Sequence, residues 1–225
     1  PMVFENVVDV KKEGDIHVIT NNKEYLCKKL IIATGRVPRK LELEHEEKYI
    51  GHGISYCALC DGAFFKDKTV AVVGSGNSAL EEALYLTKLC KKIIMLNRSE
   101  KFKGSQILFE KLKSSHNVEF LYQTQVIALH GNEEILTGLE IMKENRTSTL
   151  PIDGLFVYIG SVPNTSFLIN TGVELDHNFI VVDQNMRTNI DGIYACGDCV
   201  KKDVYQLTTA VGDGATAAPT AEKEA

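Results

Sequence analysis

What this sequence lacks narrows its reading first. No apolar run approaches the roughly 18 residues that a membrane-spanning helix requires. Its start lacks the basic stretch, apolar stretch and small-residue cleavage site of a secretory leader. A soluble, cytoplasmic chain is therefore the expectation. Cations are in short supply: 25 Lys and Arg stand against 30 Asp and Glu, for a net charge of −5 and a pI of about 5.7. That balance gives no reason to expect a polyanionic partner, neither nucleic acid nor an acidic membrane surface. The six histidines are scattered and share no ligand spacing. Internal repeats and low-complexity segments are absent.

What is present is ordinary globular material. The 225 residues, 44% hydrophobic and 24% charged, suffice for one large domain or two small ones. The chain opens on Pro1-Met2 and passes at once into strand-like sequence, which is expected of a fragment rather than of a natural start. β-Branched runs at 3–10 and 16–20, separated by Lys11-Lys12-Glu13-Gly14 and followed by Asn21-Asn22, predict a β-meander. Leu30-Ile31-Ile32-Ala33 closes in Thr34-Gly35 and reads as a buried strand. The stretch Arg36-Val37-Pro38-Arg39 and the charged residues 42–48 read as a surface linker. Thr69–Val73 is a second buried strand, Gly74-Ser75-Gly76-Asn77-Ser78-Ala79 a turn, and Leu80 to Cys90 a helix by its apolar spacing. With the strand Ile93–Leu96 they predict a βαβ unit with a parallel sheet. A further helix is expected over 105–113. Strands are expected at 118–122, 125–129, 135–142, 154–159 and 179–183. Ile193–Ala195 runs into Cys196-Gly197-Asp198, and a last helix is expected from about Gly212-Asp213-Gly214.

Three motifs carry chemistry. In Gly74-Ser75-Gly76-Asn77-Ser78-Ala79 the first glycine permits a tight strand-to-helix turn. The second admits a pyrophosphate to the backbone, and Ala79 is small enough for the helix to pack on the strand. The helix start offers free N–H groups to phosphate. A ligand-free glycine turn is the plain alternative, but the strands and helix around it favour a dinucleotide. The next strand ends in Asn97-Arg98-Ser99-Glu100-Lys101-Phe102-Lys103, with no acid at its tip and three cations in one loop. That favours a 2′-phosphate, and so NADP(H), over a ribose hydroxyl. The plain alternative is a solvated charged loop. Cys57-Ala58-Leu59-Cys60 is followed by Asp61-Gly62. Cysteines so spaced can close a small disulfide ring and reopen it by thiolate attack, and Asp61 is placed to move a proton. A second pair, Cys196 and Cys199, keeps zinc open, although zinc ribbons separate their pairs by only about 15–20 residues. Cys27 and Cys90 read as spectators.

Together these residues resemble low-molecular-weight thioredoxin reductases. The matching pieces are Ala33-Thr34-Gly35, Cys57-Ala58-Leu59-Cys60-Asp61-Gly62, Gly74 to Ala83, the basic loop at 98–103 and Ile159-Gly160-Ser161-Val162-Pro163-Asn164. They continue with Gly192 to Asp198, Gln206 and Gly212-Asp213-Gly214-Ala215. The resemblance implies an α/β fold of two Rossmann-like, three-layer nucleotide-binding domains, one inserted in the other. The first part of the FAD domain would be missing. Residues 1–39 would belong to the FAD domain, 40–166 to the NAD(P)H domain with the cysteines, and 167–225 to the returning FAD segment. The segments near 36–44 and 163–169 would be hinges. Catalytic residues would be Cys57, Cys60 and Asp61, with Cys60 nearer the flavin. The nucleotide groups would be met by Thr34, Gly35, Gly74, Gly76, Asn77, Ser78, Ala79, Arg98, Lys103, Ile159, Gly160, Gly197, Asp198 and Gln206. The resemblance implies FAD and NADPH as cofactors, a thioredoxin-like substrate, a homodimer and no metal.

The sequence also departs from the family's pattern. The opening segment with the glycine fingerprint for the ADP half of FAD is absent, so weak FAD retention by this polypeptide is expected. The family's His-Arg-Arg-x-x-x-Arg is reduced to Arg98 and Lys103, which leaves NADH or reduced ferredoxin open as donors and a ferredoxin-dependent thioredoxin reductase as an alternative. The flavoprotein of an alkyl hydroperoxide reductase system shares the motifs. A nucleotide-binding redox sensor and a zinc-binding module are the non-enzyme alternatives. Tyr205 stands where the family has arginine, and Pro219 is expected to break the final helix.

Overall fold

A computed structural model describes residues 2–224. The chain divides into two compact units, residues 1–37 with 161–225, and residues 38–160.

The first unit begins with the antiparallel meander β1 (Val7–Glu13), β2 (Asp15–Thr20) and β3 (Glu24–Cys27). Strand β4 (Leu30–Ile32) follows, and β5 (Arg36–Pro38) carries the chain into the second unit.

The second unit opens with a short helix α1 (Glu46–Tyr49), strand β6 (Ile54–Ser55) and a single turn α2 (Ala58–Asp61). The βαβ unit follows as β7 (Thr69–Val73), α3 (Asn77–Leu86) and β8 (Lys92–Asn97), then α4 (Gln106–Lys113) and β9 (Val118–Tyr122). An antiparallel meander comes next: β10 (Thr124–Gly131), β11 (Leu136–Lys143) and β12 (Arg146–Pro151). Strand β13 (Gly154–Val157) returns to the main sheet, which is parallel throughout in the order β6-β13-β7-β8-β9.

Strand periodicity explains the layers. Val70, Val72, Ile93, Met95 and Phe156 face Ala79, Leu80, Ala83 and Leu86 of α3 and Leu112 of α4. The alternate residues Ala71, Ile94, Leu96, Leu155 and Val157 pack on Val126, Leu129, Leu139 and Ile141 of the meander. The unit is thus helices, parallel sheet and antiparallel sheet in three layers.

The chain returns to the first unit through β14 (Ser161–Pro163), which pairs with β5. The hairpin β15 (Leu175–Asp176) and β16 (Phe179–Ile180) follows, then β17 (Ile193–Ala195), parallel to β4. Helix α5 (Leu207–Lys223) closes the unit. Its core joins Val10, Ile16, Ile32, Leu168, Ile180 and Ile193.

Two expectations about helices change. Helix α3 ends at Leu86, not Cys90: the Asn117 side-chain amide donates to the Thr87 and Cys90 carbonyls at 3.0 Å each and turns the chain away. Helix α5 starts at Leu207, five residues before Gly212, and runs through Pro219 without ending. Beyond the proline, Glu224 accepts from the Arg187 guanidinium at 2.7 Å and from the Tyr194 hydroxyl at 2.5 Å. That anchor holds the last turn where the missing N–H would release it.

Candidate active site

The redox pair lies in the second unit. Strand β6 ends in Ser55, Tyr56 follows it, and Cys57 caps the single-turn helix α2. Cys57 and Cys60 are joined as a disulfide. The Cys60 N–H donates to the Cys57 sulfur at 3.1 Å, and the Asp61 N–H donates to the Cys57 carbonyl at 3.1 Å. Buried Ser55 completes the turn: its hydroxyl donates to the Asp61 carboxylate at 2.6 Å and accepts the Cys57 N–H at 3.1 Å. Asp61 is therefore held beside the pair by a side chain the sequence reading did not single out. Cys60 faces solvent, as do its neighbour in sequence Leu59 (66% exposed) and, four residues on, Phe64 (74% exposed).

Two further residues hold the same loop. The Ala58 N–H donates to the Tyr158 hydroxyl at 2.7 Å and to the Glu82 carboxylate at 3.1 Å, and Tyr158 itself lies 3.3 Å from Glu82. Burial first, and then the neighbouring Glu82 charge, push the Tyr158 hydroxyl well above its ordinary pKa. It is a protonated donor at neutral pH.

A cleft of about 580 Å³ opens in this unit at the turn between β7 and α3. Gly74 and Gly76 line it, as do Arg98, Lys103, Ile159 and Gly160. Gly74 has φ +150°, and a Cβ there would come 2.4 Å from the Tyr158 carbonyl oxygen and 2.9 Å from the Ala79 Cβ. The turn is closed against its own support. At Gly76 a Cβ would meet nothing within 4 Å, which is open room on the cleft side of the turn. The basic loop folds onto this turn, because the Lys103 and Gly104 N–H groups donate to the Ser75 carbonyl at 2.8 and 2.9 Å. Buried Asn97, at the strand tip, shapes that loop through the Ser99 N–H (3.0 Å) and the Lys101 carbonyl (2.8 Å). The cleft brings together Arg98 and Lys103 but not Lys101, and it adds Arg39 and Lys40, which the motif reading did not include. Asn77, Ser78 and Ala79 do not line it. Asn77 accepts the Ser105 N–H at 2.7 Å, and Ala79 is buried against the strand.

The remaining candidates lie in the first unit. The Thr34 hydroxyl donates to the Asn164 carbonyl at 2.6 Å, and the Asn164 N–H to the Gly35 carbonyl at 3.0 Å. The Gly197 N–H donates to Asp213 at 3.1 Å, and Lys202 meets the same carboxylate at 2.7 Å. Next to them, Asp198 Oδ1 is buried with no hydrogen-bond partner, the Lys202 ammonium standing 3.9 Å away. A carboxylate oxygen without a hydrogen-bond donor fits a ligand hydroxyl, such as a flavin side chain offers. Gln206 stands exposed at the start of α5. Tyr205 stacks under the Arg36 guanidinium, 4.4 Å from its ring centre, and packs on Phe179. Cys196 and Cys199 are buried free thiols, and burial raises the Cys196 pKa. Among the described residues no group of three or more His, Cys, Asp or Glu could hold a metal, and no helix is long and apolar enough to cross a membrane.

The profile of the pyridine nucleotide-disulphide oxidoreductase family matches residues 2–214. The chain belongs to that family. The oxidoreductase is 40% identical to thioredoxin reductase of Listeria monocytogenes over 98% of its own length and 69% of that protein's. It is 41% identical to the thioredoxin reductase of Mycoplasma genitalium, over 96% and 70% of the two chains. Against Listeria innocua thioredoxin reductase it spans 65% of the relative's length. Among solved structures, Lactococcus lactis thioredoxin reductase superposes with a TM-score of 0.85 at 36% identity, over 99% of this chain and 74% of that one. The T. acidophilum enzyme gives 0.82 at 33%, over 97% and 73%. Flavin and nicotinamide nucleotide binding come with this family.

Proposed function

We propose that this oxidoreductase passes electrons from NADPH, through FAD and the Cys57–Cys60 disulfide, to a thioredoxin-like protein. One observation carries the reading: a closed Cys57–Cys60 disulfide, exposed at Cys60 and with Asp61 tethered beside it, in the same unit as a glycine-turned cationic cleft. Bound FAD would supply the two-electron link between nicotinamide and disulfide.

The chain's own part is thiol exchange. Once the pair is reduced, one cysteine thiolate attacks the partner's disulfide, and the partner's other sulfur leaves. The second cysteine then attacks the mixed disulfide. The Cys57–Cys60 bond re-forms and the partner departs as a dithiol. Two electrons pass from the cysteines to the partner, and two protons end on its sulfurs. Asp61 would hold the proton that one cysteine gives up. Exposed Leu59, adjoining Cys60 in sequence, and exposed Phe64 four residues on suit a protein surface rather than a small disulfide.

In the cleft, Gly74 and Gly76 would admit the pyrophosphate, and Arg98 and Lys103 the 2′-phosphate. Lysine brings a point charge where arginine brings a fork, so a looser grip is expected. In the first unit, Gly197, Asp198 and Gln206 would meet FAD, with Thr34 and Gly35 nearby in sequence to the chain crossing. A homodimer belongs to the same reading.

The test is NADPH-dependent reduction of thioredoxin by the FAD-loaded protein. Cys57→Ser and Cys60→Ser should each abolish it while flavin reduction by NADPH continues. Thioredoxin reduction that survives either substitution contradicts the reading.

A further inference from the structure

The Ala58 amide is held twice, and by groups of different charge. Tyr158 and Glu82 converge on the peptide that follows Cys57, at 2.7 and 3.1 Å. Neither arrives by chance. Glu82 lies in α3, the helix that opens at the glycine turn, and Tyr158 directly follows β13 and borders the nucleotide cleft. A peptide N–H needs one acceptor. A second acceptor with a full charge, half-buried, is more than hydrogen-bond satisfaction requires.

We propose that Glu82 is a positioning residue for the redox pair: with Tyr158 it fixes the Cys57–Ala58 peptide, and its carboxylate sets a negative charge close enough to Cys57 to disfavour the thiolate. The proposal rests on the reading of Cys57 and Cys60 as a redox pair and adds a control on their reactivity. A thiolate near a carboxylate is less populated at neutral pH, and a dithiol whose thiolate is not favoured is the more reducing form of the couple. A donor of electrons to a protein disulfide benefits in that direction.

The charged groups facing Cys57 are both acidic, and the third group is a neutral hydroxyl. Asp61 stands on its own helix α2, tied to Ser55; Glu82 reaches in from α3; and Tyr158 follows β13. Tyr85 and Leu86 of α3 pack at Gly62, and the Tyr56 hydroxyl is spent on Glu46 at 2.8 Å. No cation is among the hydrogen-bond partners of this loop within the described residues.

The experiment uses Cys60→Ser in the full chain, which leaves Cys57 as the one thiol of the redox pair, read on its own peptide apart from Cys27, Cys90, Cys196 and Cys199. Alkylation of Cys57 by iodoacetamide is then followed by mass spectrometry as a function of pH. In that background Glu82→Gln, which keeps an acceptor for the Ala58 N–H and removes the charge, should move the alkylation midpoint to lower pH. The rate at neutral pH should rise by about three- to tenfold, the size expected for one charge a few ångströms from a partly exposed group. Glu82→Asp should restore the parent profile in part. Tyr158→Phe removes a hydrogen bond from the same peptide and no charge, so its midpoint should stay or move up.

An unchanged profile in Glu82→Gln overturns the proposal. So does a downward shift in Tyr158→Phe as large as that of Glu82→Gln, which would assign the effect to loop geometry. If Glu82→Gln does not fold, Glu82→Ala takes its place: a downward shift there with none in Tyr158→Phe supports the charge, and no shift there overturns it. Alkylation needs neither FAD nor NADPH, so this result is independent of whether the chain turns over thioredoxin.

Discussion

Asp61 reaches the redox pair through a serine, and that contact defines a test at the scale of one residue. Ser55→Ala leaves the Asp61 carboxylate and the Cys57 N–H without their shared hydroxyl. Loss of a buried partner costs about 1–3 kcal/mol, measurable by chemical denaturation, and thioredoxin reduction should fall further than flavin reduction by NADPH. The cysteines divide in the same way. Burial pushes the Cys90 thiol up to about 11 and raises Cys196 and Cys27. In the reduced chain near pH 8, Cys57 and Cys60 should alkylate first, while Cys90, Cys196 and Cys199 react only after unfolding, as read by mass spectrometry. Cys57, Cys60 and Asp61 were legible because a motif names them at fixed spacing. Ser55, Glu82 and Tyr158 were not: they come from three separate elements and meet only after the sheet forms. Ser55, two residues before Cys57 at the end of a strand, offered the one local hint.

At the scale of elements, the two glycines of the turn between β7 and α3 should behave oppositely. Gly74→Ala forces a Cβ to 2.4 Å from a backbone oxygen at φ +150°. It should lower the melting temperature strongly and remove nucleotide binding with it. Gly76→Val adds atoms to open space, so the fold should persist while NADPH affinity drops. Thermal melts and nucleotide titration separate the two. Helix α5 supplies a third case. Proline in a helix interior costs about 3 kcal/mol relative to alanine, so Pro219→Ala should raise stability in denaturant titration. The βαβ unit was readable because buried parallel strands are continuous apolar runs. Strand β12 escaped because Arg146-Thr147-Ser148-Thr149-Leu150-Pro151 is an exposed edge with no apolar alternation. The reach of α5 past Pro219 escaped because its anchor, Arg187 with Tyr194, is set by tertiary contact.

For the whole molecule, acid should be the destabilising direction. The Arg187 hydrogen bond, and then that of Tyr194, hold the Glu224 carboxyl below its ordinary value of 4.5. Lys201, and then His177, lower Asp176 in the same way. A depressed carboxylate contributes stability above its unfolded pKa and loses it as pH falls through the folded one. Denaturation midpoints should therefore decline below about pH 4.5, and Arg187→Ala should flatten that decline.

Electron transfer, rather than proton binding, defines the enzyme, and loss of the visible flavin absorbance follows it. FAD-loaded protein is mixed without oxygen with NADPH, NADH or reduced ferredoxin in separate runs. NADPH should bleach the flavin fast and NADH more slowly, and the double substitution Arg98→Ala, Lys103→Ala should lose most of the NADPH preference. Bleaching by ferredoxin with no response to either nucleotide would overturn the assignment of NADPH as donor, and would leave the cationic cleft as a scaffold without a cofactor.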